Sequence, residues 1–259
     1  MNRFLFSLFI INGCLNFSVA RQTESPQKVI HVFVALCDNK YQGIVKVPAA
    51  IGNGQDAARN LYWGCGYGVK SFFKTNGNWT LKQSIKNPAT NILERCIFKH
   101  KNSNTWLIAD AYDGQYIKNC TIDFLKAAAG QNSQTLTIDQ TKINCGGQAE
   151  LIAYCGHDGL MDFNLDSFPI KANNQKRQVI ILACISKSYF FEAIKTTGAQ
   201  PLLWTTGLMA PEAYTLSAAI ESWIKNEPAD STKLKAAEAY NQYQKCGIKA
   251  AKKLLVTGF

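Results

Sequence analysis

Short apolar runs recur along the chain, and between them polar segments carry apolar residues at three- to four-residue spacing. Residues 29–36 (VIHVFVAL), 92–99 (ILERCIFK), 105–111 (TWLIADA), 151–154 (LIAY), 179–183 (VIILA) and 201–205 (PLLWT) are rich in apolar, β-branched and aromatic side chains. Runs of this length suit strands, and those lacking alternation suit strands covered on both faces, as in a parallel sheet. Helical spacing predicts a helix from Asp56 to about residue 75, with Leu61, Cys65, Val69 and Phe72 on one stripe and Asn76-Gly77-Asn78 as its stop. Gly64, Gly66 and Gly68 each weaken that helix by about 1 kcal/mol relative to Ala, although they permit close packing on a sheet. Ile117, Cys120, Phe124 and Ala128 predict a second helix closed by Gly130. Further helices are expected over 189–197, 210–224 and 232–255, the last two divided by Asn226-Glu227-Pro228. Residues 43–54 (GIVKVPAAIGNG) read as a loop bordering the sheet's carboxyl edge. Residues 131–149 read as a polar connection with a short strand at 135–138, and 160–165 as a small hairpin arm beside residue 157. Strands alternating with helices predict an α/β fold: a mostly parallel central sheet flanked by helices on both faces.

Composition fits that picture. With 47% hydrophobic and 11% aromatic residues in 259, the chain can bury one sizeable core, so 21–259 is expected to be a single domain. Residues 1–20 carry Arg3, an apolar run from Phe4 to Ile11 and Ser18-Val19-Ala20, which reads as a secretory signal peptide and implies a secreted or periplasmic protein. The second reading is a lipid anchor at Cys14. The run is too short to span a bilayer, and no other stretch predicts a membrane span. Loss of Arg3 with the leader lowers the net charge from +10 to +9, yet the lysines are dispersed without an Arg/aromatic pattern; a solvated basic face is expected, and no nucleic-acid partner. Eight of the nine cysteines lie beyond residue 20. Export favours disulfides, while Cys65 and Cys120, on expected helices, read as small buried hydrophobes. Asn78-Trp79-Thr80 and Asn119-Cys120-Thr121 match glycosylation acceptors.

Two apolar runs end in reactive side chains. Residues 151–154 lead through Cys155-Gly156 to His157, and 179–183 lead to Cys184. In an open α/β sheet the carboxyl ends of neighbouring strands converge on one crevice, so this imidazole and this thiol are candidates for a nucleophile and its base. The alternatives are a structural histidine, a buried inert thiol, and a zinc site using Cys155 and His157 with Cys184 or Cys145. No CxxC pair supports the metal. Cys155 is expected to pack beneath the site, close enough to suggest a redox lock with Cys184. Gly52-Asn53-Gly54 and Gly64-Cys65-Gly66 lack the Lys-Ser/Thr or strand-turn-helix context of phosphate loops.

The His-ended and Ala-Cys-ended runs, followed by a helical stretch and Gly198-Ala199-Gln200-Pro201-Leu202-Leu203-Trp204, resemble the caspase-like cysteine peptidases: caspases, gingipains, legumain, clostripain and separase. The likeness covers roughly residues 28–225. It implies a three-layer caspase-like sandwich, a His157/Cys184 dyad that cleaves a peptide or protein substrate, and no cofactor or metal. Backbone N–H groups near Gly156, Asp158 or Gly159, with that of Cys184, would hold the oxyanion. Members usually place Gly directly after the His, where this chain has Asp158. In several relatives an acidic residue stands two positions before the nucleophile and helps bind Arg or Lys. Here that position is Leu182, which predicts an uncharged or apolar preference unless Asp38 or Asp113 enters the pocket. The alternative function is a non-catalytic peptide- or glycan-binding protein on the same fold, favoured by the altered His-Asp-Gly block.

Overall fold

A computed structural model describes residues 26–259, so the expected leader and the alternative anchor at Cys14 lie outside the described residues. The six apolar runs form strands, and four further strands join them. In chain order these are β1 (Lys28–Ala35), β2 (Trp79–Ala89), β3 (Ile92–His100), β4 (Thr105–Tyr112), β5 (Gln134–Ile138) and β6 (Thr141–Cys145). They continue with β7 (Leu151–Gly156), β8 (Gln178–Leu182), β9 (Gln200–Thr205) and β10 (Leu255–Val256). Eight of them form one sheet in the order β10-β9-β8-β7-β1-β4-β3-β2, while β5 and β6 make a separate hairpin. The five central strands from β9 to β4 run parallel, and β10, β3 and β2 are antiparallel additions at the two sides.

Six α-helices cover this sheet among the described residues. On one face lie α1 (Val69–Thr75), α4 (Ala213–Ile224), α5 (Ala229–Gln244) and α6 (Ile248–Leu254); on the other lie α2 (Ile117–Ala128) and α3 (Ser186–Thr197). Strand side chains alternate between the layers. Ile180 and Leu182 pack with Phe73, Leu216 and Ala237 on the first side, whereas Val179 and Ile181 pack with Phe124, Phe190 and Ile194 on the second. Burial on both faces is why these strands read as unbroken apolar runs. None of the helices among the described residues is long and apolar enough to cross a membrane.

Several expectations are corrected. Residues 56–68 form turns, and the first helix is confined to α1. A Cβ on Gly64 would sit 2.0 Å from the Ala58 carbonyl oxygen, and one on Gly68 2.5 Å from the Trp63 backbone, so these glycines serve tight backbone crossings. Cys65 accordingly lies in a half-exposed turn rather than on a helix. The expected helix over 232–255 is two helices, because Lys245 (φ +54°) and Gly247 (φ +88°) adopt left-handed conformations between α5 and α6. Residues 160–165 form no hairpin; a 3-10 turn over Gly159–Met161 stands there.

The antiparallel side is held by buried ions. Arg95 donates from Nε and Nη2 to Asp110, at 2.6 Å each. Gly146 N–H donates to His31 Nδ1 (3.0 Å), which leaves the His31 Nε2–H to donate to Asp110 (3.0 Å). Burial alone would raise the Asp110 carboxyl, but these hydrogen bonds outweigh it and hold it below its usual range. Glu94 is fully buried against Lys70, Ser84 and Trp63. There too burial opposes ionisation, and the donors prevail, lowering the carboxyl to about 2. None of the eight cysteines beyond residue 25 is disulfide-bonded, and burial pushes the Cys96 thiol up to about 12 and those of Cys37 and Cys145 to about 11.

Candidate active site

The carboxyl ends of β1, β7, β8 and β9 open onto one crevice, as the topology of an open α/β sheet requires. Cys155 is the last residue of β7 to pair with β8, opposite Leu182. His157 and Cys184 each lie two residues beyond that shared rung. Adjacent strands are about 4.8 Å apart, so the two residues follow the ends of neighbouring strands. Both line a cavity of about 240 Å³. The loop after β1 supplies Gly43, Ile44 and Val45 to its wall, and the loop after β9 supplies Leu208, Met209 and Pro211.

The imidazole is held from one side. His157 Nε2–H donates to Asp162 Oδ2 (2.8 Å), and the same oxygen accepts the Gly43 N–H (2.9 Å). Because that carboxylate is already accepting, the ring proton belongs on Nε2, leaving Nδ1 as the basic nitrogen. Tyr154 fixes the backbone by donating from its hydroxyl to the His157 carbonyl (2.7 Å). A Cβ on Gly43 would meet Asp162 Oδ1 at 2.4 Å, so a larger residue here would have to displace this carboxylate from its present position.

The thiol sits on a strained turn. Ile185, directly after Cys184, has φ +50°, an outlier for a β-branched residue that costs on the order of 1–3 kcal/mol. It is locked by Ile185 N–H donating to Gly207 O (2.9 Å) and Ser186 N–H donating to Thr205 Oγ1 (3.1 Å). The half-buried Cys184 Sγ accepts from Met209 N–H (3.4 Å) and faces the Met209 carbonyl (3.6 Å). Burial pushes this thiol up, the Met209 N–H opposes that, and the Asp158 charge adds to the rise.

No protein-family model, curated protein or solved structure matches this chain.

Gly156 lines the cavity; its φ of +146° and the Ala35 carbonyl oxygen, 2.5 Å from a would-be Cβ, demand glycine. The other residues expected at the site lie elsewhere. Asp158 is fully buried and caps the 3-10 turn by accepting the Leu160 N–H (3.0 Å). Gly159 is buried against Phe163 and Thr121. Leu182 ends β8, whereas Cys184 lies in the turn beyond it; Leu182 is fully buried in the core and lines no part of the cavity. Asp38 is 2% exposed and builds the first loop instead, accepting from Lys40 N–H (2.8 Å) and Gln55 Nε2 (2.9 Å). Asp113 accepts from the same Gln55 amide (2.6 Å), so neither acid enters the pocket. Cys155 is fully buried and donates to Pro211 O (2.9 Å). Cys145 packs on the opposite face of the sheet from Cys155, and no three His, Cys, Asp or Glu side chains among the described residues are grouped to hold a metal. Sequence reasoning passed over Asp162, since an acid five residues after a histidine fits no helical or strand period. It also passed over Tyr62 and the 208–211 loop.

Proposed function

We propose that this protein is an exported cysteine hydrolase of the caspase-like type that cleaves peptide bonds. The observation that carries the reading is the placement of Cys184 and His157 on one cavity at neighbouring strand ends, with the imidazole Nε2–H engaged by Asp162. In the mechanism this supports, Nδ1 of His157 takes the thiol proton as Sγ attacks the scissile carbonyl carbon. The oxyanion is stabilised by the Cys184 backbone N–H and the backbone beside Gly156. His157 returns the proton to the leaving amine as the C–N bond breaks, leaving a thioester; a water deprotonated by the same nitrogen then releases the acid and restores the thiol. The strained Ile185 supports the reading, because backbone strain concentrates where a reactive group must be presented. The export part rests on the leader-like composition of residues 1–20.

The second reading, a peptide- or glycan-binding protein, is favoured by the burial of Cys184, which raises its thiol and disfavours the thiolate. A thiol-directed alkylating probe with mass-spectrometric mapping separates the two, using exposed Cys246 as internal reference. Labelling at Cys184 that exceeds Cys246 and is lost in His157→Ala is the expected result. Equal labelling in the two proteins points to the binding protein.

Asp162→Asn supplies a finer check. Asn retains an oxygen for the Gly43 N–H but removes the charge that fixes the ring. A fall in kcat of about 10- to 100-fold with little change in KM is expected, less than the 10²–10⁴ lost when the acid-base group itself goes. Unchanged kcat would remove Asp162 from the mechanism.

A further inference from the structure

The cavity beside the thiol has no charged wall. Among the described residues the only polar side chain lining it besides His157 and Cys184 is Tyr62, and no Asp, Glu, Lys or Arg is in its wall. The rest of the lining is glycine, Pro211 and the apolar Ile44, Val45, Met161, Leu208 and Met209. Three of these are exposed to an unusual degree for large hydrophobic residues: Val45 at 91%, Leu208 at 70% and Met161 at 38%. They come from three separate segments and meet at one rim, so their exposure is a patch rather than scattered residues, and such patches mark binding surfaces. Both loops are ordered by polar bonds. Gly43 N–H is tied to Asp162, Asn39 exchanges two hydrogen bonds with Val47, and Ala210 N–H donates to Tyr240 OH (3.2 Å). A pocket whose walls are pre-set in the free protein gains selectivity from fit.

The volume argues for a single side chain. About 240 Å³ falls below the roughly 300–1,000 Å³ of sites that enclose a whole small ligand. We infer that this cavity is the specificity pocket for the residue preceding the scissile bond, that it accepts one apolar side chain of the size of Leu, Met or Phe, and that Val45, Met161 and Leu208 form its selective rim. This rests on the cysteine-peptidase reading of the same site. A Lys, Arg, Asp or Glu side chain entering it would lose water against a wall that holds no Asp, Glu, Lys or Arg side chain, with the Asp162 carboxylate already engaged by His157 and Gly43, which is unfavourable. Apolar selectivity is weaker per atom: a missing methylene in a hydrophobic pocket changes selectivity by about 10- to 200-fold.

A series of peptidyl ketone probes that alkylate an active-site thiol, identical except for Leu, Met, Phe, Ala, Asp, Asn or Arg next to the ketone, tests this. Labelling of Cys184 by the Leu, Met or Phe probe is expected to exceed the Ala probe by about 10-fold or more and the Asp and Arg probes by about 100-fold or more. Leu208→Glu and Val45→Glu change exposed rim residues without touching the core, and each is expected to lower the Leu-to-Arg ratio at least about 10-fold, since a carboxylate then faces the entering cation. Preference for Asp, Asn or Arg in the unsubstituted protein, or ratios unmoved in both rim variants, overturns the pocket while Cys184 labelling leaves the peptidase reading standing. Absence of Cys184 labelling by every probe, with Cys246 alkylated normally, overturns both.

Discussion

Cys184→Ala is expected to lower cleavage of any peptide substrate by at least about 10³-fold while leaving the fold intact, because without the sulfur only binding and the oxyanion donors remain. The structural cost is small for identifiable reasons. The thiol is half-buried just beyond a strand end, and its hydrogen-bond partners are one N–H and one carbonyl of Met209. Removing one sulfur from such a site costs about 1 kcal/mol, which for a domain of this size moves the thermal midpoint by about 2–4 °C. His157→Ala is expected to lose activity to a similar degree, and the double variant to lose no more, since residues that act as a unit are not additive. Initial rates and thermal melts of the three variants check this. Activity retained in Cys184→Ala, or a midpoint fall beyond about 10 °C, would identify a structural cysteine.

The legible parts of the fold were those where burial acts on both faces of an element. The strands of the central parallel set read as apolar runs because each side chain, up or down, meets a helix layer. Strand β2 was missed for the converse reason: it is an edge, mostly exposed, with Lys82, Lys86 and Pro88 along it, so its composition reports solvent rather than partners. The 56–75 segment was overread because apolar spacing cannot distinguish a helix from a set of turns whose glycines allow backbones to touch. At the site, the ending of two apolar runs at His157 and Cys184 was visible, whereas the acid bonded to the ring was not, because a side chain reaching back from a 3-10 turn leaves no periodic trace. Leu182 shows the limit of alternation. Period two gives the side of a sheet on which a residue lies, but depth depends on how far the helix layer extends, and here it covers Leu182 completely.

Asp158 breaks the rule that buried carboxyls are paired, and the break has a measurable sign. Its side chain is fully buried; Oδ1 accepts the Leu160 N–H, and Oδ2 has no hydrogen-bond partner. Burial, with the nearby Asp162 charge adding to it, pushes the carboxyl from the usual 3.8 up to about 7, against the pull of the backbone N–H groups. A carboxyl whose folded value exceeds its unfolded one binds more protons in the folded state between those limits. Stability contributed by the protonated acid is therefore present below about pH 4, declines as pH rises, and is gone above about pH 7, a change on the order of 4 kcal/mol. Asp158→Asn keeps an oxygen to cap the turn and removes the titration. Urea unfolding at pH 5 and pH 8 is expected to show a stability drop in the unsubstituted protein that shrinks by about 2–4 kcal/mol in the variant. The ionised acid also raises the Cys184 thiol, so alkylation of Cys184 in Asp158→Asn should begin at lower pH. An identical pH dependence of stability in the two proteins would mean that water or a shift of the 3-10 turn satisfies Oδ2 and that Asp158 ionises normally. A flattened stability profile with an unmoved alkylation profile would instead show that the acid strains the turn without reaching the Cys184 thiol.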